Sequence, residues 1–167
     1  MQSVLDFTMK IAAEFSYRYA EEILEALAPT ELQEIRAVLN DPRNILNKEK
    51  TKKQRNYSAQ IKNWFVSQKD WKVEQPCKAV PGMKYDLQKG LVCVEIEIGH
   101  QRLVFPDFFE FAADHSKQNI AAGVIIVTCD PIQFGDNWHC SLQSTKLKIA
   151  SVADWLTVPL LVIAVNP

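Results

Sequence analysis

The chain has 167 residues, of which 47% are hydrophobic and 23% charged, and its formal net charge is −1. That length fits one domain (residues 1–167) with a core of ordinary size, and the near-neutral charge excludes a global attraction to nucleic acid or membrane, leaving only local patches. No apolar run reaches the roughly 18 residues of a membrane helix, and the opening MQSVLDFTMKIAAEF carries acids without a signal-peptide layout, so a cytoplasmic protein with no membrane partner is expected.

Taken in chain order, residues 1–28 place apolar side chains at Val4, Leu5, Phe7, Ile11, Ala12, Phe15, Tyr19, Ile23, Leu24 and Leu27. Steps of three and four predict an amphipathic helix, broken at most once. APTELQEIRAVLN predicts a second helix, with Thr30 as N-cap, Gln33 closing a capping box and NDP as the stop. From Lys48 to Lys72 the chain turns basic, with Lys48, Lys50, Lys52, Lys53, Arg55, Lys62, Lys69 and Lys72 against Glu49 and Asp70. Inside that run YSAQIKNWFVSQ predicts a helix with Ile61, Trp64 and Phe65 on one face.

After Trp71 the period changes. DWKVEQPC, MKYDLQ and GLVCVEIEIG read as strands, the last two joined by a KG turn. FPDFFEFAADHSKQNIAAG predicts a helix ending near Gly123, and GVIIVTC a buried strand. Residues 130–147 are polar and read as irregular, and SVADWLTVPLLVIAV closes the chain as a helical stretch running into a last strand. The order predicts α/β, with a central mixed sheet flanked by helices and a helical N-terminus. Cys77, Cys93, Cys129 and Cys140 form no CxxC and read as reduced thiols rather than zinc ligands.

The informative stretch is KYDLQKGLVCVEIEIG, residues 84–99. Side chains alternate across a strand, so Glu95 and Glu97 share one face while Val94, Ile96 and Ile98 share the other. If the flanking segments pair as a hairpin, Asp86 approaches Glu95. Carboxylates packed so closely repel one another and desolvate badly unless a cation sits among them; Mg²⁺, an oxygen-seeking ion, answers that need. Spacing alone leaves a second reading open, an edge strand whose acids are simply solvated.

The stretch VCVEIEIGHQRLVFPDFFEFAADHSKQNIAAGVIIV, with Asp86 ahead of it and VPLLVIAV behind, resembles the BamHI/BglII/BstYI group of type II restriction endonucleases, within the PD-(D/E)xK nuclease superfamily. The likeness runs over roughly residues 57–167. It implies a restriction-endonuclease-like core and Mg²⁺-dependent hydrolysis of double-stranded DNA by a homodimer, leaving 5′-phosphate and 3′-hydroxyl ends. It further implies Asp86, Glu95 and the Ile96 carbonyl as metal ligands, and puts Glu97 where the motif usually has lysine, to handle the attacking water or hold a second ion. The chain is shorter than the characterised enzymes, which favours reduced base-reading loops. A module that binds DNA or a partner without cutting, and a repair or defence nuclease of relaxed specificity, stand as the alternatives.

For DNA contact the basic run offers Lys52, Lys53 and Arg55, and the segment DPIQFGDNWHCSLQSTK offers Asn137, His139, Ser141, Gln143 and Ser144. The plain alternatives are a solvated basic face and a surface loop. His100, just past the acidic strand, is a further candidate for phosphate or water contact. No GxGxxG, P-loop or GxSxG occurs, which disfavours P-loop and serine-esterase chemistry.

Overall fold

The computed structural model describes residues 7–47, 55–98, 104–135 and 139–167, with the side chains of 55 and 56 excepted. Its elements are β1 (Phe7–Thr8), β2 (Lys10–Tyr17), α1 (Ala20–Leu27), α2 (Pro29–Leu39), β3 (Ile45–Leu46), α3 (Arg55–Lys69), β4 (Lys72–Pro76), β5 (Lys84–Lys89), β6 (Val92–Ile96), α4 (Val104–Ser116), β7 (Ala122–Thr128), α5 (Leu142–Ser151) and β8 (Leu160–Asn166). Six strands form one sheet in the order β2-β8-β7-β6-β5-β4, and β1 pairs with β3 separately. The pairs β6/β7 and β7/β8 are parallel; β2/β8, β4/β5 and β5/β6 are antiparallel. A mixed sheet flanked by helices is therefore the observed architecture.

The apolar β-branched runs of β6, β7 and β8 fit strands covered on both faces. All residues of β6 and β7 are buried. On one face Val92, Val94, Ile96, Val124 and Ile126 pack under α1, α2 and α3, through Leu24, Leu32, Ile35, Leu39, Ile61 and Phe65. On the other, Cys93, Ile125, Val127 and Val162 pack under α4 and α5, through Phe108, Phe111 and Ile149. Gly123 makes the second layer possible. A Cβ there would lie 2.7 Å from the Phe111 ring and 2.8 Å from Leu160 Cδ2.

Four local expectations need correction. Residues 10–17 form an edge strand rather than helix. A register shift between Ile11 and Ala13 turns Ile11 toward one core while Ala13, Phe15 and Tyr17 face the other, which hides the twofold alternation. Helix α2 begins at Pro29 with Ala28 at the N-cap and no side-chain cap, because proline, with φ already helical, takes the first position from Thr30. Helix α4 stops at Ser116. Gln118 turns left-handed (φ 59°) and Asn119 closes back on Asp114, through N to the Asp114 carbonyl at 3.0 Å and Nδ2 to Oδ1 at 2.8 Å. Finally, the second half of residues 130–147 is ordered: Ser141 and Ser144 form a reciprocal capping box that starts α5. The four cysteines are free thiols, as expected, and no helix among the described residues is long and apolar enough to cross a membrane.

Candidate active site

The hairpin β5/β6 is in register from Lys89↔Val92 to Leu87↔Val94, and there its ladder stops. Side chains take over from backbone at the next step. The Asp86 amide donates to Glu95 Oε1 at 3.3 Å, and the Ile96 amide donates to Asp86 Oδ2 at 2.9 Å. On the far side the Glu97 amide donates to the Ile126 carbonyl at 2.8 Å, keeping this end of the chain on β7. The strands thus part where the acids lie, and Glu95 and Glu97 turn toward α4, on the face opposite Val94 and Ile96.

Helix α4 adds acids to the same place. Val104, Phe108 and Phe111 face the sheet, and so do Asp107, Glu110 and Asp114, at steps of three and four along that buried face. Carboxylate oxygens of Glu95, Glu97 and Asp107 lie within 4.8 Å of one another. Glu95 is buried and Glu97 half-buried. Each sheet acid meets one on the helix: Glu95 hydrogen-bonds Glu110, and Glu97 hydrogen-bonds Asp107.

The electrostatic consequence is large. Burial, then the charges of Asp107, Asp86 and Glu110, raise Glu95 well above the usual carboxylate range; burial, then Glu97, Glu110 and Asp86, do the same to Asp107. Glu97 is pushed up to about 7 by burial and Asp86, and Glu110 to about 7 chiefly by burial. Asp114 is the contrast on the same helix. It accepts from the amides of Lys78 (3.2 Å) and Ala79 (2.7 Å), from Tyr85 Oη (2.9 Å) and from Asn119 (2.8 Å). Burial alone would raise it, but these donors leave it below its ordinary value.

Positive groups border the cluster. Lys62 of α3 reaches Asp86 Oδ1 at 2.9 Å and Glu74 at 2.8 Å, and these partners outweigh burial, so its pKa is raised. The charge of Lys148, on α5, favours ionised Glu97. Ser58 of α3 donates to the Ile96 carbonyl at 3.0 Å. Asp86 thus stands apart from the compact trio, its oxygens engaged by Lys62 and by the Ile96 amide.

The structure therefore brings Asp86, Glu95, Ile96 and Glu97 together at one end of the hairpin. Asp107 and Glu110 were not singled out in the sequence, where they lie among phenylalanines on a helix that reads as ordinarily amphipathic, and neither were Lys62 and Ser58 as neighbours of the site. Lys48, Lys50, Lys52, Lys53, His100 and Asn137 lie outside the described residues. Arg55 opens α3, its side chain likewise outside. His139 is 2% exposed, packed edge-on against Tyr57 and Phe134, and so is not presented to a ligand. Ser141 and Ser144 are spent on capping α5, and Gln143 is exposed.

A mixed sheet whose central strand carries acids at its splayed end, against an acid-bearing helix, is the arrangement of a restriction-endonuclease-type nuclease. The family model described as restriction endonuclease BglII/BglIII matches residues 12–165, and the chain belongs to that family. It is thereby a DNA endonuclease of the type II restriction kind. No curated protein sequence matches it. Among solved structures, the crystal structure of restriction endonuclease BglII complexed with a DNA 16-mer is similar at TM-score 0.69 and 17% identity, over 95% of this chain and 78% of that one. The crystal structure of free BglII is similar at TM-score 0.62 and 16% identity, over 95% and 79%.

Proposed function

We propose that the chain, as one nuclease domain spanning residues 1–167, hydrolyses phosphodiester bonds of double-stranded DNA with Mg²⁺, as a homodimer that cuts one strand per subunit. The observation that carries the metal is the crowding of carboxyls around Glu95: its Oε1 meets the Asp86 amide at 3.3 Å, and oxygens of Glu95, Glu97 and Asp107 lie within 4.8 Å of one another. In the same cluster Asp107 Oδ2 and Glu110 Oε2 are buried with no hydrogen-bond partner among the described residues, and burial opposes the ionisation of Glu95 and Asp107. Groups so placed are stable as anions only with a cation among them, and an all-oxygen donor set suits Mg²⁺.

Asp86, Glu95 and the Ile96 carbonyl are the proposed ligands, in the pattern of a PD-(D/E)xK site whose lysine position is Glu97. When bound, Mg²⁺ supplies Lewis acidity toward a phosphate oxygen and lowers the pKa of coordinated water. The chain's own residues do the rest. Glu97, whose ionisation burial and Asp86 oppose until the cation is bound, takes the proton from the attacking water at its carboxylate. Lys62, released from Asp86, and Lys148 counter the charge of the phosphate. Ser58 holds the Ile96 carbonyl in place through its hydrogen bond.

Lys52, Lys53 and Arg55 are proposed to track the phosphate backbone, just ahead of the helix that carries Ser58 and Lys62. Asn137 remains the proposed base-edge contact, with buried His139 as the anchor of its segment. The test is digestion of plasmid DNA with and without Mg²⁺, followed by sequencing of the ends. Discrete Mg²⁺-dependent cuts bearing 5′-phosphates support the reading; retention of the DNA without cutting would favour a binding module.

A further inference from the structure

Building on the metal reading at Asp86, we propose that Lys62 is a built-in cation that closes the Asp86 side of the site while no divalent ion is bound. Glu74 is the residue onto which it moves when an ion enters. Lys62 Nζ donates to Asp86 Oδ1 at 2.9 Å and to Glu74 Oε1 at 2.8 Å, so two carboxylates share one ammonium. The two halves of this bridge differ. The Lys62 and Asp86 side chains are 20% and 21% exposed and that of Glu74 is 55% exposed, so the bridge leads from the interior of the site toward solvent. The other oxygen of Asp86 accepts from the Ile96 amide at 2.9 Å, and both oxygens thus have partners before any metal arrives.

The β4/β5 ladder places Glu74 for this task. Val73 pairs with Leu87 and Gln75 with Tyr85, so Glu74 lies opposite Asp86 on the neighbouring strand. Two carboxylates in that relation repel unless a cation joins them. Glu74 also has a left-handed backbone, φ 52°, inside β4, a conformation that costs a non-glycine residue energy and persists only where its surroundings hold it. The ion pair with Lys62 is one such hold. An ion bonded to Asp86 Oδ1 at roughly 2.0–2.6 Å would lie within about 5.5 Å of the ammonium, near enough for the two cations to repel. Lys62 therefore gives up Asp86 as the ion enters, and Glu74 keeps the ammonium at the rim of the site, within reach of a phosphate, instead of releasing it to bulk water.

The test is calorimetric titration of the full chain with Mn²⁺, and separately Ca²⁺, without DNA. Lys62→Met is expected to tighten ion binding by about tenfold, since it removes a like charge close to the ion, whereas a change that merely loosened the site would weaken it. Glu74→Gln is expected to weaken binding severalfold where Lys62 is present, because the displaced ammonium then has no carboxylate to move onto. In the Lys62→Met background the same change should have no effect. Cooperative melting in EDTA certifies each fold, and Lys62→Gln carries the same expectation if Lys62→Met does not fold. Wild-type binding that is unchanged or weaker in Lys62→Met overturns the competition at Asp86 and leaves the metal reading standing. Equal weakening by Glu74→Gln in both backgrounds, or none in either, overturns the part given to Glu74. No ion taken up at millimolar concentration by wild type or Lys62→Met removes the metal reading, and this inference with it.

Discussion

Raising the pH of the metal-free protein from 5 to 8 tests the carboxylate cluster through stability rather than activity. Glu97 and Glu110 each have an ordinary value of 4.5, raised to about 7 in the fold. A carboxyl whose folded pKa lies above its unfolded one contributes fully below about 4.5 and loses that contribution as pH climbs through about 7. For Glu97, allowing for its partial exposure and its coupling to Asp107, the loss is ~2–3 kcal/mol. At ~2–4 °C per kcal/mol for a domain of this size, the melting temperature in EDTA should fall by roughly 5–10 °C across that window. His115 works the other way, since burial lowers its pKa and its contribution grows with pH. Subtracting the same melt of Asp107→Asn/Glu97→Gln, which keeps His115, Glu95 and Glu110, isolates the Glu97/Asp107 pair. Saturating Mg²⁺ should abolish the fall, because it binds the ionised form. Melting temperatures in EDTA that stay level or rise from pH 5 to 8, relative to that variant, refute the reasoning.

Glu97→Gln should bind metal and DNA but cut slowly, and Glu97→Lys should not cut, its ammonium displacing the cation; single-turnover rates at saturating Mg²⁺ near the wild-type value in both would make Glu97 a bystander. Replacing Lys52, Lys53 and Arg55 with alanine should weaken binding to all duplexes alike and flatten the salt dependence by roughly one unit of slope per lost phosphate contact, as anisotropy in Ca²⁺ would report. Gly123→Ala puts a methyl 2.7 Å from the Phe111 ring and should cost about 2–3 kcal/mol, read from urea unfolding.

The core and one side of the site were legible because their signals are local. GLVCVEIEIG and GVIIVTC are apolar runs too short for helices, and the alternation of Val94, Glu95, Ile96 and Glu97 sets which face each takes. Strand β2 was not legible: its register shift moves Ile11 to the other core, so the apolar spacing mimics a helix. The α4 half of the site was hidden for another reason. Asp107 and Glu110 sit among phenylalanines in a pattern that reads as an ordinary amphipathic helix until tertiary packing turns both acids inward. Lys62 belonged to a basic run read as a DNA-tracking face, and only the fold brings it to Asp86, 24 residues along the chain. His139 looked available in a polar segment, yet Tyr57 and Phe134, distant in sequence, bury it.

The most direct test is whether the acids parted at the end of the β5/β6 hairpin govern cutting. Cleavage of supercoiled plasmid by purified wild type and Glu95→Gln, each with Mg²⁺ and with EDTA, measures this directly, with melting curves to certify the variant's fold. Wild type is expected to make discrete cuts in Mg²⁺ and none in EDTA, and Glu95→Gln to cut at a rate lower by orders of magnitude. Cutting that persists in EDTA, or at the wild-type rate in Glu95→Gln, would contradict that expectation.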